Sequence, residues 1–149
     1  MKVFVREREM RTAGGLTLTD ITEQVEQSVA ESGVGEGLAC VYTPHTTCCI
    51  RLNEWESGFF EDFINIARTL APLDRYYAHD DWERRTENLE PREESPNGPA
   101  HCLSMLIGGA SETIPVRGAS LCLGHWQRVI FVELDHERDR RWFVQVIGE

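Results

Sequence analysis

No apolar run in the sequence approaches the roughly 18 residues that a membrane span needs. The first residues, Met1-Lys2-Val3-Phe4-Val5-Arg6-Glu7, are broken by charge where a secretory signal would be continuously apolar. A soluble cytoplasmic protein with no membrane partner is therefore expected. Positive charge is also scarce: 15 basic residues face 25 acidic ones, a formal charge of -10, and that balance repels phosphate backbones and acidic membrane surfaces. Nucleic acid is not an expected partner. No C-x-x-C pair occurs among Cys40, Cys48, Cys49, Cys102 and Cys122, so neither a zinc knuckle nor a redox couple is indicated. Lying mostly inside apolar runs, these cysteines read as small buried hydrophobes of a reducing compartment. There is no internal repeat and no low-complexity tract.

What the sequence does contain is enough patterned apolar residue, over 149 positions, for one domain spanning 1–149 with a core of its own. Residues 2–8 suit a strand, and Gly14-Gly15 a turn. Asp20, with Glu23 three residues later, opens a helix whose apolar stripe is Ile21, Val25 and Val29; Gly33 and Gly35 close it. Strands are expected over 37–44 and 47–53. A second helix follows Asn53-Glu54, with Phe59, Phe60, Phe63, Ile66, Ala67 and Leu70 as a broad apolar face, and ends at Pro72. Residues 100–107 fit a helix or a buried strand equally well. Strands are expected over 113–116, 120–123, 126–134 and 142–147, separated by Arg117-Gly118 and by the charged turn 135–141, a succession that favours antiparallel pairing. The third of these alternates, with Gln127, Val129, Phe131 and Glu133 on one face and Trp126, Arg128, Ile130 and Val132 on the other. The fold class is α+β: mostly antiparallel or mixed sheets in a sandwich-like core, with helices covering one side.

Between positions 74 and 99 the composition turns polar and charged, with prolines at 91, 96 and 99. Long connections of this kind in a small domain are usually functional or disordered. Residues 74–85 are expected to be ordered at a site, and 89–96 to be more mobile. The run Tyr77-Ala78-His79-Asp80-Asp81-Trp82-Glu83-Arg84-Arg85 is the centre of that site if His45 and His101, each at the edge of an apolar segment, converge on it. Taken alone, the run is an ordinary solvated loop, and Glu83 and Arg85 are left in that role.

The ordered set His45-Thr46-Thr47, Asn53-Glu54, His79-Asp80-Asp81, Asn97-Gly98-Pro99-Ala100-His101, Gly108 with Ser111, Ile114-Pro115-Val116, and Leu123-Gly124-His125-Trp126-Gln127 with Glu133 resembles the YjbQ family over nearly the whole chain. That resemblance implies a compact α+β fold assembled as a homotrimer with clefts near subunit boundaries. It also implies a thiamine-phosphate synthase-like transferase activity, joining a pyrimidine-methyl diphosphate to a thiazole phosphate with release of diphosphate. The partner is then a phosphorylated small molecule. The alternative of another class is a non-enzymatic trimeric module that binds a phosphorylated metabolite.

Departure of diphosphate requires stabilisation of charge on the leaving oxygens, by a divalent cation, guanidiniums or oriented N–H donors. On the resemblance, His45, His79 and His101 form a three-nitrogen metal set with an open fourth position, for zinc, or for magnesium arriving with the diphosphate. Asp80 or Asp81 completes the shell or orients a ring, and His79, Asp80 and Asp81 are the expected catalytic residues. Thr47, Arg84, Asn88, Ser111 and Gln127 are the expected substrate contacts, with Trp126 as a stacking surface if a bulge brings it to the face of Gln127. Glu133 is either the partner of a cation or half of a buried ion pair. His125, Pro99 and Cys48-Cys49 depart from the family's usual residues, and His136 lies solvated in a charged turn. A thiol mechanism, with Cys48 or Cys49 as nucleophile and His45 as base, is the rival chemistry.

Overall fold

The computed structural model describes residues 1–89 and 95–149. In chain order the elements are β1 (Lys2–Arg11), β2 (Thr17–Asp20), α1 (Thr22–Ser32), β3 (Glu36–Tyr42), β4 (Cys48–Glu54), α2 (Ser57–Leu70), α3 (Gly98–Ile107), β5 (Ser111–Arg117), β6 (Ser120–Leu121), β7 (Gln127–Glu133) and β8 (Asp139–Gly148). A 3-10 turn, Ala78–Asp80, lies between α2 and α3. The strands form a five-stranded sheet, β1-β8-β3-β5-β6, and a three-stranded sheet, β2-β7-β4. Every pairing in them is antiparallel. The fold is the expected α+β sandwich.

Its arrangement follows from the double-sided apolar pattern of β7. Side chains alternate across a strand, so one central strand can serve two cores. Val129 and Phe131 point to the five-stranded sheet and pack with Ala39, Val41, Val144 and Val146. Ile130 and Val132 point the other way and pack with Ala67, Ala100, Leu103, Phe60 and Phe63 beneath α2 and α3. Helix α1 lays Ile21, Val25 and Val29 into the first core, on the inner side of the five-stranded sheet, so the helices divide between two layers.

The local chemistry departs from the sequence expectations in four places. Residues 17–20, expected only to lead into α1, form β2, paired from Thr17 opposite Glu133 to Asp20 opposite Ile130. Asp20 then serves the helix start alone: its Oδ1 accepts from Thr22 N at 2.9 Å and from Thr22 Oγ1 at 2.6 Å, without the reciprocal bond from Glu23. Glu56 caps α2 by accepting from the backbone of Gly58 and Phe59. The apolar face of that helix is narrower than expected, for Ile66 and Leu70 remain 60% and 55% exposed. Residues 100–107 are helical, within α3, where Pro99 occupies a first-turn position that lacks an intrahelical acceptor in any case. Gly33 ends α1 at φ 63°, as the left-handed C-terminal geometry requires. The stretch 89–96, expected to be more mobile, falls largely outside the described residues. Among the described residues no helix is long and apolar enough to cross a membrane.

Candidate functional site

Two polar clusters meet at the start of α3. The first is the loop around His79. Asp80, half-buried, turns its carboxylate onto the helix start: Oδ1 accepts from Asn97 N and from Gly98 N, each at 2.9 Å, and Oδ2 accepts from Gly98 N at 3.1 Å. The contact is close enough that a Cβ on Gly98 would lie 2.6 Å from Tyr77 Cβ. A charged oxygen is well placed there, because the first amides of a helix have no internal acceptor. Asp81 is also spent locally. It accepts from Tyr76 Oη at 2.7 Å and from the backbone of Glu83 and Arg84. The tyrosine hydroxyl, more than those two amides, holds its pKa below the ordinary carboxylate value. The two carboxylates expected to do chemistry therefore both hold the loop in place.

Arg85, expected to be a solvated charge, is the loop's organiser. It donates to His79 Nε2 at 3.2 Å, to Glu87 O at 3.1 Å and to Asn88 O at 2.6 Å, and its guanidinium lies 5.4 Å from the centre of the Trp82 ring. Asn88 adopts φ 51°, a left-handed conformation that Asn tolerates better than most residues. A guanidinium can only donate, so this contact makes His79 Nε2 the acceptor. The His101 ring lies 4.4 Å from it, centroid to centroid. His79, Arg84 and Asn88, three of the expected residues, line one open cleft of about 380 Å³ together with Arg85.

The second cluster closes one end of the sandwich. Glu133 and Arg140 form a bidentate ion pair, with Arg140 Nε to Glu133 Oε2 and Arg140 Nη2 to Glu133 Oε1 both at 2.6 Å. Their side chains are 1% and 6% exposed. Of the two roles expected for Glu133, this is the ion pair. Thr12 donates to Glu133, while Thr47 accepts from Arg140 Nη2 and donates to Asp135. Asp135 also receives Asn97 Nδ2, the His136 amide and Arg138. Burial alone would raise the Asp135 pKa, but these donors outweigh it and hold the group below the ordinary value. Asn97 joins the clusters, its amide N–H on Asp80 and its side chain on Asp135. Sequence reading missed Arg138 and Arg140 because they sit in what looks like a charged turn. Arg140 is nevertheless in phase with Trp142, Val144 and Val146 on the inner face of β8, and extending that alternation two residues back finds it.

His45 belongs to this second cluster. Its Nε2 accepts the Arg141 amide at 3.0 Å, so the set His45, His79 and His101 is not assembled within one chain. Among the described residues no three His, Cys, Asp or Glu side chains come together to hold a metal ion. Thr47 is buried in the ion-pair network. Ser111 is exposed at the start of β5, opposite Tyr42. Gln127 Oε1 accepts from Gly124 N at 2.8 Å and closes a turn; it and Trp126 are both exposed. His136 contacts the Pro96 carbonyl at 3.0 Å. Burial pushes the Cys48 thiol up to about 11 and that of Cys49 up to about 12. Both are buried and neither lines a cleft with His45, which speaks against the thiol mechanism.

The family described as "UPF0047 protein YjbQ-like" matches residues 6–149. The chain belongs to the YjbQ family. A UPF0047 protein of Archaeoglobus fulgidus is 38% identical over 141 residues, covering 95% of this chain and 99% of that one. The UPF0047 protein YugU of Bacillus subtilis is 31% identical, covering 94% and 96%. Among solved structures, a YbjQ-like protein of unknown function from Sulfolobus solfataricus superposes with a TM-score of 0.84 at 33% identity, covering 99% of each chain. An uncharacterised YjbQ/UPF0047 protein from Clostridium acetobutylicum gives 0.80 at 33% identity, covering 95% and 99%. For this YjbQ-family chain, relatives and fold agree, and the chemistry has to come from the site.

One prediction follows from His45. Burial, with Arg140 and Arg141 nearby, lowers its pKa from 6.5. The unfolded chain thus binds a proton at a higher pH than the folded chain does, and stability falls as the pH drops below about 6.5 toward the folded value. Urea midpoints measured at pH 7.5 and 5.5 should show this loss. His45→Gln accepts the same amide without titrating, and its loss over that interval should be smaller.

Proposed function

We propose that this YjbQ-family protein binds a phosphorylated small molecule in the cleft between His79, Arg84 and Asn88, and that its reaction is the thiamine-phosphate synthase-like condensation. The observation that carries the reading is a cleft lined by His79, Arg84 and Arg85, with Glu87 also on its wall, in a chain of net charge -10. Arg84 is exposed and its guanidinium makes no hydrogen bond among the described residues. Arg85 and His79, held by each other, complete a donor surface on which charge on departing diphosphate oxygens is stabilised. The three-histidine set of one chain does not fit a resident zinc ion, and no step is carried through a metal.

The proposal includes assembly as a homotrimer and a cytoplasmic location. The outer face of the five-stranded sheet supports self-association: Val3, Val5, Leu38, Tyr42 and Ile147 are 62%, 55%, 51%, 43% and 38% exposed. Val3 lies opposite Ile147 and Ile147 opposite Leu38, so part of this surface is a continuous apolar row. Sedimentation equilibrium should give three times the chain mass, and Leu38→Glu should shift it toward one.

A binding module without catalysis is favoured by one observation, that Asp80 and Asp81 are both engaged by their own loop and offer no idle general base. The two readings separate on one assay. Purified protein given the pyrimidine-methyl diphosphate and the thiazole phosphate should release diphosphate. Absence of release with retained pyrophosphate binding would establish the module instead. In either case Arg84→Ala should weaken pyrophosphate binding about tenfold, the worth of one charge-assisted contact.

A further inference from the structure

Arg140 is 5% exposed and clamped, with one guanidinium nitrogen left over. Its Nε and Nη2 go to Glu133 and Thr47, while Nη1 has no acceptor among the described residues. The residue forms part of the wall of two adjoining clefts, of about 620 Å³ and 350 Å³. His45 lines the same two clefts. Because its Nε2 already accepts the Arg141 amide, the neutral ring carries its proton on Nδ1, a donor with no partner among the described residues. Thr46, exposed on the wall of the smaller cleft, adds a hydroxyl.

We infer that the cleft between His45, Thr46 and Arg140 is an oxyanion site, separate from the Arg84 cleft, that takes the carboxylate or phosphate group of a small molecule. The surrounding charges narrow the choice of ligand. Arg138 is paired with Asp135, Arg141 with Glu7, and Arg11 with both Glu137 and Asp139. Those guanidiniums are largely neutralised, so the site draws on directed donors more than on net positive charge. Nη1 is not among the buried unpaired atoms of the described residues, so it reaches the cleft, where an acceptor oxygen gains a charge-assisted hydrogen bond. The bidentate clamp of Glu133 fixes the plane of the guanidinium, so Nη1 is pre-aimed and loses little entropy when a ligand arrives. This inference stands independently of the condensation reaction proposed above.

The test uses the full chain and two probes, inorganic phosphate and acetate, followed by 31P line broadening and by calorimetry at pH 7.5. The wild type should bind phosphate saturably. His45→Ala should weaken that binding about tenfold, as expected for loss of one hydrogen bond to a charged group. Arg140→Lys, which keeps a positive charge beside Glu133 but lacks Nη1, should weaken it further. Its folding is checked by the melting temperature, and the half-buried His45 keeps the test valid if the lysine variant fails to fold. Arg84→Ala should leave this site unchanged, whether or not the loop cleft proves to bind phosphate. Acetate that displaces phosphate marks a carboxylate site, and phosphate alone marks a phosphoryl site. Phosphate and acetate titrations that are unaltered by His45→Ala, or that vanish with Arg84→Ala alone, would overturn the inference, as would failure of both probes to bind.

Discussion

Replacement of Glu133 by alanine should cost the protein about 3–5 kcal/mol of stability, enough to unfold a large share of molecules of a marginally stable domain. The expectation comes from what the substitution leaves behind. Arg140 would keep its burial and lose both carboxylate bonds, each 2.6 Å long in the native protein. The Asp135 amide would lose its acceptor at the same time, while the Thr12 hydroxyl and the Leu134 amide would keep only the Arg138 and Thr47 carbonyls. Glu133→Gln keeps one oxygen for the amides and should fall between alanine and wild type. Urea unfolding at pH 7.5 reads the difference, with unchanged slope if the unfolded state is the same. A loss under about 1 kcal/mol for the alanine variant would mean that water reaches Arg140 freely and that the clamp is not rigid. The double substitution with Arg140→Met should recover part of the loss, because an apolar replacement of both partners removes the unpaired charge.

This cluster also marks where sequence reading reached and where it stopped. The two-faced pattern of β7 was legible because both of its faces are buried in apolar residues, and period-2 alternation over Val129–Val132 needs no knowledge of partners. The four residues of β2 were not, since a short strand running directly into a helix start carries too few side chains to show a period. The same limit applied to function. His79, Arg84 and Asn88 are neighbours in the chain and share a cleft. His45 was expected beside them, but the pairing of β3 with β8 carries it to the Arg140 end of the sandwich, an outcome set by strand register across 96 residues. The structural work of Asp80 and Asp81 was hidden for a related reason. A carboxylate in a polar loop looks alike whether it faces a ligand or caps a helix 17 residues further on, and only the packed structure separates the two.

That ambiguity yields the second large effect. Asp80→Ala should weaken pyrophosphate binding in the Arg84 cleft by about 30- to 100-fold, although Asp80 does not line that cleft. Its carboxylate fastens the His79 loop to α3 through the amides of Asn97 and Gly98. Charge-assisted bonds of this kind contribute roughly 1.5–3 kcal/mol each when sheltered, and less at a half-buried site. Without them the docked loop becomes a minor conformer, and apparent affinity falls in proportion to its population. The melting temperature should fall as well, since the start of α3 loses its cap, at a cost of about 1 kcal/mol. Asp80→Asn retains one acceptor oxygen and should recover much of both losses. A catalytic carboxylate would behave in the opposite way: asparagine would be as inactive as alanine, with binding and melting temperature preserved. Affinity and melting temperature that fall together in the alanine variant and recover together in the asparagine variant identify Asp80 as a positioning residue. Turnover lost in both variants at unchanged affinity would return it to the chemistry.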